Sequence, residues 1–373
     1  MAHMAEWISW LNSQISRFVW GPVMLACFLS VGLMFTVRTG FFQVTRIRLW
    51  FRKTIIACFC DRSVRKSGDI HSLSQFQSLC TVLAAAAGTG NIIGVAAAIT
   101  VGGPGAIFWM WLSSFLGMMT SYGENVLGIC YRSRDSRGTW RGGPMAYMEQ
   151  GLGCRWIAVL FAVFCTLASF GIGNMAQANS IAGALSSSFR IPAPATALAV
   201  SLLLCGVMMG GLRRIGSVTE KLVPFMSCLY IAGAGLVIFT HIHALPAALA
   251  SIFREAFNLQ AGAGGIGGYG IMTAMRVGIS RGVFTNEAGM GSSVIVHAAS
   301  DIREPAEQGM WGIFEVFADT IVVCSLTALA ILTSGVYDQL TYAQALGSPA
   351  LQLLPSAAEL TGSAFSTVFG RGG

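Results

Sequence analysis

The sequence predicts an all-α polytopic membrane protein, and three observations carry that prediction. Charged residues make up 10% of the 373 residues and hydrophobic ones 54%, where soluble domains carry roughly 25% charged residues. With 45 glycines besides, little polar surface remains to cover a globule, so lipid must face the outside. The second observation is a recurring apolar run near the length of about 20 residues that a helix needs to cross a hydrocarbon core. The third is a lopsided distribution of basic residues between the loops.

Taken in order, eight spans are expected. The first covers residues 18–38, the second 79–101, the third 105–129, the fourth 156–180, the fifth 194–211 and the sixth 219–240. The seventh is broken: an amphipathic piece from Leu245 to Asn258, a glycine run from Gly262 to Gly270, then a helical piece to about Ser280. The eighth runs from Met310 to Ser334, and 335–373 holds an amphipathic stretch but no further run long enough to span. The ten cysteines lie scattered in apolar stretches, Cys27, Cys80 and Cys324 among them, and read as small core residues rather than a disulfide framework or zinc site. The first residues lack a charged region and a small-residue cleavage site, so no removable signal peptide is expected.

Basic residues set the orientation. The first loop holds eight, from Arg38 to Lys66; the third holds five, from Arg132 to Arg155; Arg213, Arg214 and Lys221 come next, then Arg276, Arg281 and Arg303. Nineteen of the 23 Lys and Arg therefore fall on one side, which the positive-inside rule makes cytoplasmic. The N-terminus is expected outside. The net charge of +7 then follows from topology, with no nucleic-acid partner implied.

Chemistry is expected where polar groups interrupt the spans. The second contains Gly88-Thr89-Gly90-Asn91 followed by Gly94. Unwound backbone survives at membrane depth only where it is buried or lines a cavity, as in transporter binding sites. The plainer alternative is a GxxxG packing face at Gly90 and Gly94, with Asn91 bonded to a neighbouring helix. A dinucleotide loop is excluded by the spacing and by the lack of a preceding strand. In the fourth span Asn174 and Gln177 share one face, lining a polar cavity or bonding between helices. The run Gly262 to Gly268, with Gly264, Gly265 and Ile266 inside it, repeats the interruption. With the first span as an extra, two glycine-broken helices open two halves of a five-plus-five inverted repeat, the pattern of a midplane transporter site.

Ionisable residues inside spans are costly and mark function or pairing. Glu124 lies near the inner end of the third span; Glu315 and Asp319 stand i, i+4 in the eighth. These two could serve the site or anchor the neighbouring loop of Arg281, Asn286 and Glu287. His241, His243 and His297 have no third ligand at metal spacing. No activated nucleophile with a partner base emerges, so an enzyme is not expected.

The motifs resemble those of the alanine or glycine:cation symporter family, the sodium:alanine symporters. The resemblance rests on Gly88-Thr89-Gly90-Asn91-Ile92-Ile93-Gly94, Gly102-Gly103-Pro104-Gly105, Gly142-Gly143-Pro144-Met145, Gly173-Asn174-Met175-Ala176-Gln177, Ile215-Gly216-Ser217-Val218-Thr219-Glu220, Thr285-Asn286-Glu287-Ala288-Gly289-Met290-Gly291 and Phe317-Ala318-Asp319-Thr320. It implies sodium-coupled uptake of a small neutral amino acid across a bacterial-type inner membrane, with sodium as the coupling ion and no other cofactor. The implied fold is an eleven-span protein with a leucine-transporter-type core. In that likeness the carbonyls of Ala84 and Ala87 face sodium. The Gly88 to Gly90 backbone, Asn91, Gln177, Gly264, Gly265 and Ile266 contact substrate, with Ile266 where the family has an aromatic. Asn174, Glu124, Asn286, Glu287, Glu315 and Asp319 are gating or structural polar residues. The chain reads as one transmembrane domain, with the extra span at 18–38, a first repeat at 79–240 and a partial second at 245–373. The last three family spans are expected to be missing, a truncation that would leave the ion site incomplete. Other small solutes, proton coupling, or a non-transporting fragment remain as alternatives.

Overall fold

The computed structural model describes residues 2–69, 71–136, 138–257, 270–338, 341 and 357–370. It is mostly helical. Helix α1 (Ala2–Val19) breaks at Gly21, and Pro22, whose missing N–H costs nothing at a helix start, opens α2 (Pro22–Arg38). Residues 9–38 form one apolar stretch of 30 residues, longer than the expected first span.

The second expected span is indeed broken. Helix α3 (Gln75–Ala86) starts four residues earlier than expected because Ser74 and Gln77 form a reciprocal capping box. It stops at Ala87, and a π-helical turn (Gly90–Gly94) leads into α4 (Val95–Gly102) at a bend of 51°. Helix α5 (Gly105–Cys130) matches the third span. A π-helical turn (Gly171–Met175) joins α6 (Arg155–Phe170) to α7 (Ala176–Phe189). Helix α8 (Ala193–Met208) has only 16 residues, roughly 24 Å at 1.5 Å per residue. Helix α9 (Gly211–Thr240) begins eight residues before the expected sixth span. Arg213 and Arg214, expected between spans, therefore lie on a helix, because nothing between Gly211 and Thr240 stops it but Pro224, which it absorbs.

Beyond these lie α10 (Leu245–Ala256), α11 (Ile271–Asn286), α12 (Ser292–His297), α13 (Pro305–Val316), a π-helical stretch (Phe317–Cys324), α14 (Ser325–Thr333) and α15 (Ala357–Phe369). Helix α11 outruns its expected end at Ser280 and closes only at Glu287, whose φ is 55°.

Among the described residues four helical stretches are each long and apolar enough to cross a bilayer, and the bent pair α3 and α4 makes a fifth. The central α5 falls short on apolarity for a physical reason. It is buried in protein, against α11 and α13, and carries Ser113, Ser114, Thr120, Ser121 and Asn125 on its buried faces. Small residues there let neighbouring backbones close. The core joins Val95, Ile99, Ile107 and Met110 to Ile252, Ile331 and Leu360. By contrast α6 to α8 turn Phe164, Leu167, Met175 and Leu203 outward, as lipid permits.

At one end, the loops interlock. A two-strand hairpin (Ser133–Arg134 with Trp140–Arg141) carries Arg132 and Arg134 against the Trp140 ring. Arg132 donates to the carbonyls of Ala298 (2.9 Å), Ser300 (2.6 Å) and Ile302, and burial draws its pKa down to about 10. Arg134 pairs with Asp69 at 2.5 Å. Leu73 bridges Ser300, through Leu73 N to Ala299 O and Asp301 N to Leu73 O.

Candidate functional site

The site begins where α3 fails. Ala87 takes ψ 75°, off the helical value. The Gly88 N–H then donates to Ala86 O at 2.8 Å rather than one turn back to Ala84. Thr89 N leaves the helical ladder and donates to Gln177 Oε1 at 3.3 Å. Gly88 is required by that approach, since a Cβ on it would fall 2.7 Å from Gln177 Nε2. Two expected site residues, 88 positions apart in sequence, therefore meet. Asn174, expected on the same face as Gln177, is exposed, whereas Gln177 is half-buried.

Asn91 is 2% exposed. Its Nδ2 donates to Asp319 Oδ1 at 2.7 Å and to Asp319 O at 3.1 Å, while its Oδ1 has no partner among the described residues. Asp319 Oδ2 accepts from Thr320 Oγ1 at 3.0 Å. Asn286 Nδ2 donates to Thr320 Oγ1 (3.2 Å) and Ser114 Oγ (3.0 Å), and its Oδ1 accepts from Ala288 N. A continuous polar chain thus runs from the broken helix to the π-helical stretch after α13, and on to α11 and α5. Gly90 lies against Thr285 of α11, where a Cβ would come within 3.3 Å of Thr285 Oγ1. The break and the close-packing alternative are both realised: the helix unwinds, and Asn91 does bond to a neighbour. From the far side Thr361 of α15 donates to Ile92 O at 3.3 Å.

Asp319 and Glu315, grouped by their i, i+4 spacing, separate in the structure. Asp319 joins Asn91 and reaches the Asn286 segment through Thr320. Glu315 Oε2 instead meets His297 Nε2 at 3.1 Å, both residues fully buried. His297 Nδ1 faces Ser78 Oγ at 3.1 Å and Gln308 Nε2, and Ser300 Oγ donates to Gln308 Oε1. Because the Gln308 amide donates to Nδ1, the ring proton sits on Nε2 and points at Glu315. Glu124 Oε2 accepts from Gly289 N at 3.0 Å, and Glu287 accepts from Ser292. Both fasten the turn after α11.

Sequence reasoning missed Thr285, Thr320, Ser78, Gln308 and the role of His297. The signal for the last was its position: a histidine in an Ala-rich segment needs a buried partner. Ala84 and Ala87 flank the break, Ala84 exposed and Ala87 half-buried. Gly264, Gly265 and Ile266 lie outside the described residues. Among the described residues no three His, Cys, Asp or Glu converge as metal ligands.

The sequence matches a family model described as the sodium:alanine symporter family over residues 4–371. An uncharacterized transporter of Haemophilus influenzae is 42% identical over 327 residues, covering 87% of this chain and 70% of the relative. A sodium/alanine symporter of Methanococcus maripaludis is 41% identical over 334 residues, covering 88% and 71%. An amino-acid carrier protein of Bacillus subtilis is 38% identical over 329 residues, covering 87% and 67%. The family match runs almost to the last residue and gives no support to the expected truncation. The chain is a multi-pass membrane protein that belongs to the sodium:alanine symporter family, a family of transporters.

Proposed function

We propose that the chain carries a small neutral amino acid, alanine or glycine, into the cell together with sodium by alternating access, on a leucine-transporter-type five-plus-five scaffold with its N-terminus outside. The observation that carries this reading is the break at Ala87 to Thr89, with the Gln177 amide drawn onto it and the Asn91 carbonyl oxygen left unpartnered beside it. Broken helices offer two kinds of group at once. Half-helix N-termini and loosened N–H groups suit a carboxylate, and turned-out carbonyls suit a hard cation.

In this mechanism the carbonyls of Ala84 and Ala87 take sodium. The Gly88 to Gly90 backbone and Asn91 take the substrate carboxylate and ammonium, Gln177 holds the unwound strand in shape, and Gly264, Gly265 and Ile266 are further substrate contacts. Residues 79–240 and 245–373 act as the two halves that rock about the site. One positive charge descending 100 mV releases about 2.3 kcal/mol, enough for roughly 50-fold accumulation.

The test is uptake of labelled alanine into proteoliposomes under an inward sodium gradient. Asn91→Ala is expected to abolish uptake while the protein still inserts and purifies as a single species. Wild-type uptake indifferent to sodium would overturn the coupling, and normal affinity in Asn91→Ala would overturn the site.

A further inference from the structure

Polar atoms without partners are rare in protein interiors, and each asks for a cause. Among the described residues, three of those lie at the crossing of α5 and α13, Ser121 Oγ and both amide atoms of Asn125, and a fourth, Glu315 Oε1, belongs to the next turn of α13. All three residues are at most 2% exposed. Ser121 and Asn125 stand i, i+4 on α5 and close on Gly312, where a Cβ would come 2.6 Å from Ser121 Oγ and also overlap Asn125 Nδ2. Glu315 stands three residues beyond Gly312 on the same face of α13.

Charge makes the arrangement informative. The neighbours acting on Glu315 electrostatically, Glu124 from α5, Glu287 after α11 and Asp319 one turn further along its own span, are all acidic. Its hydrogen-bond partner among the described residues, His297, is held in the neutral tautomer by Gln308 and Ser300, so it donates a proton without cancelling the charge. A carboxylate buried in this way demands a counter-charge. The oxygens left without partners on these facing turns are one carboxylate, one amide carbonyl and one hydroxyl. Such hard ligands suit a small alkali cation, while the absence of a His, Cys, Asp or Glu trio among the described residues argues against a transition metal.

We propose that Glu315, Asn125 and Ser121 form a sodium site between α5 and α13, separate from the break at Gly88. It goes beyond the carrier mechanism, resting on that reading only for the expectation that the chain handles sodium. Filling it would tie α13, which runs on into the stretch bearing Asp319, to α5, so sodium there would steady the Asn91 to Asp319 contact before substrate arrives.

The test is binding of radioactive sodium to the purified full chain in detergent, with choline holding ionic strength constant. Ser121→Ala and Asn125→Ala break no side-chain hydrogen bond among the described residues, so both are expected to fold and to match the wild-type thermal midpoint without sodium. Each is expected to raise the half-saturating sodium concentration of one binding phase at least tenfold and to lose the matching sodium-dependent thermal shift. Glu315→Gln is expected to do the same. Unchanged sodium binding in all three overturns the site and leaves the carrier reading intact; no sodium binding by wild type overturns both. A stability that depends on pH through Glu315, with sodium binding unchanged in Glu315→Gln, makes the counter-charge a proton and overturns the sodium assignment.

Discussion

At the scale of single residues, the site turns on what two amides can reach. Gln177 holds Thr89 N through a space that only a glycine at 88 leaves open. Gly88→Ala is therefore expected to push the Gln177 amide off the break and raise the half-saturating alanine concentration by tenfold or more. Gln177→Ala added to it should cost little further, because both changes break one contact; a double-mutant cycle of uptake constants checks this, and additive losses would refute it. The glycines, Asn91 and Gln177 were legible in the sequence because polar groups at membrane depth are few. Their partners were not. Nothing in the spacing of Glu315 and Asp319 shows that one turns to His297 and the other to Asn91. A four-residue spacing places both on one face, but about one turn apart in depth, and it is that depth which sets Glu315 opposite His297 and Asp319 opposite Asn91.

At the scale of elements, close packing around α5 separates tolerant glycines from intolerant ones. A Cβ on Gly278 of α11 would overlap the Ala106 carbonyl of α5, while Gly183 on α7 has nothing within 4 Å. Gly278→Ala is expected to lower stability by about 1–3 kcal/mol through overpacking. Gly183→Ala should leave it unchanged or raise it by up to about 1 kcal/mol, the helix-propensity gain. Thermal midpoints in one detergent decide between them, and equal shifts would refute the packing argument. Helix starts repeat the lesson. The capping box at Ser74 and Gln77 moves α3 outward from its apolar run, a signal present in the sequence that hydropathy alone overlooks.

Across the whole molecule, the interlocked loops tie the start of α3 to the segment before α13. Asp69 accepts from the His71 backbone N–H and pairs with Arg134, which holds its carboxyl below the usual carboxylate range. A depressed pKa gives stability that is present above the unfolded value and lost as pH falls through the folded one. The latch should therefore hold through neutral pH and loosen only below about pH 4, the ordinary aspartate value. The thermal midpoint of wild type is expected to fall there, and that of Asp69→Asn to fall less; parallel curves would rule out Asp69 as the cause.

The sequence by itself determined the solvent, the helical class, the break at Gly88 and the family, because lipid penalises every exposed polar group and so makes each one a signal. Only the tertiary structure decided which buried groups face one another: Asn91 with Asp319, Glu315 with His297, and the Ser121 hydroxyl and Asn125 amide, without partners among the described residues, around Gly312. Those pairings join helices far apart in the chain. A hydrogen bond across a helix crossing depends on rotation and depth that local sequence does not fix.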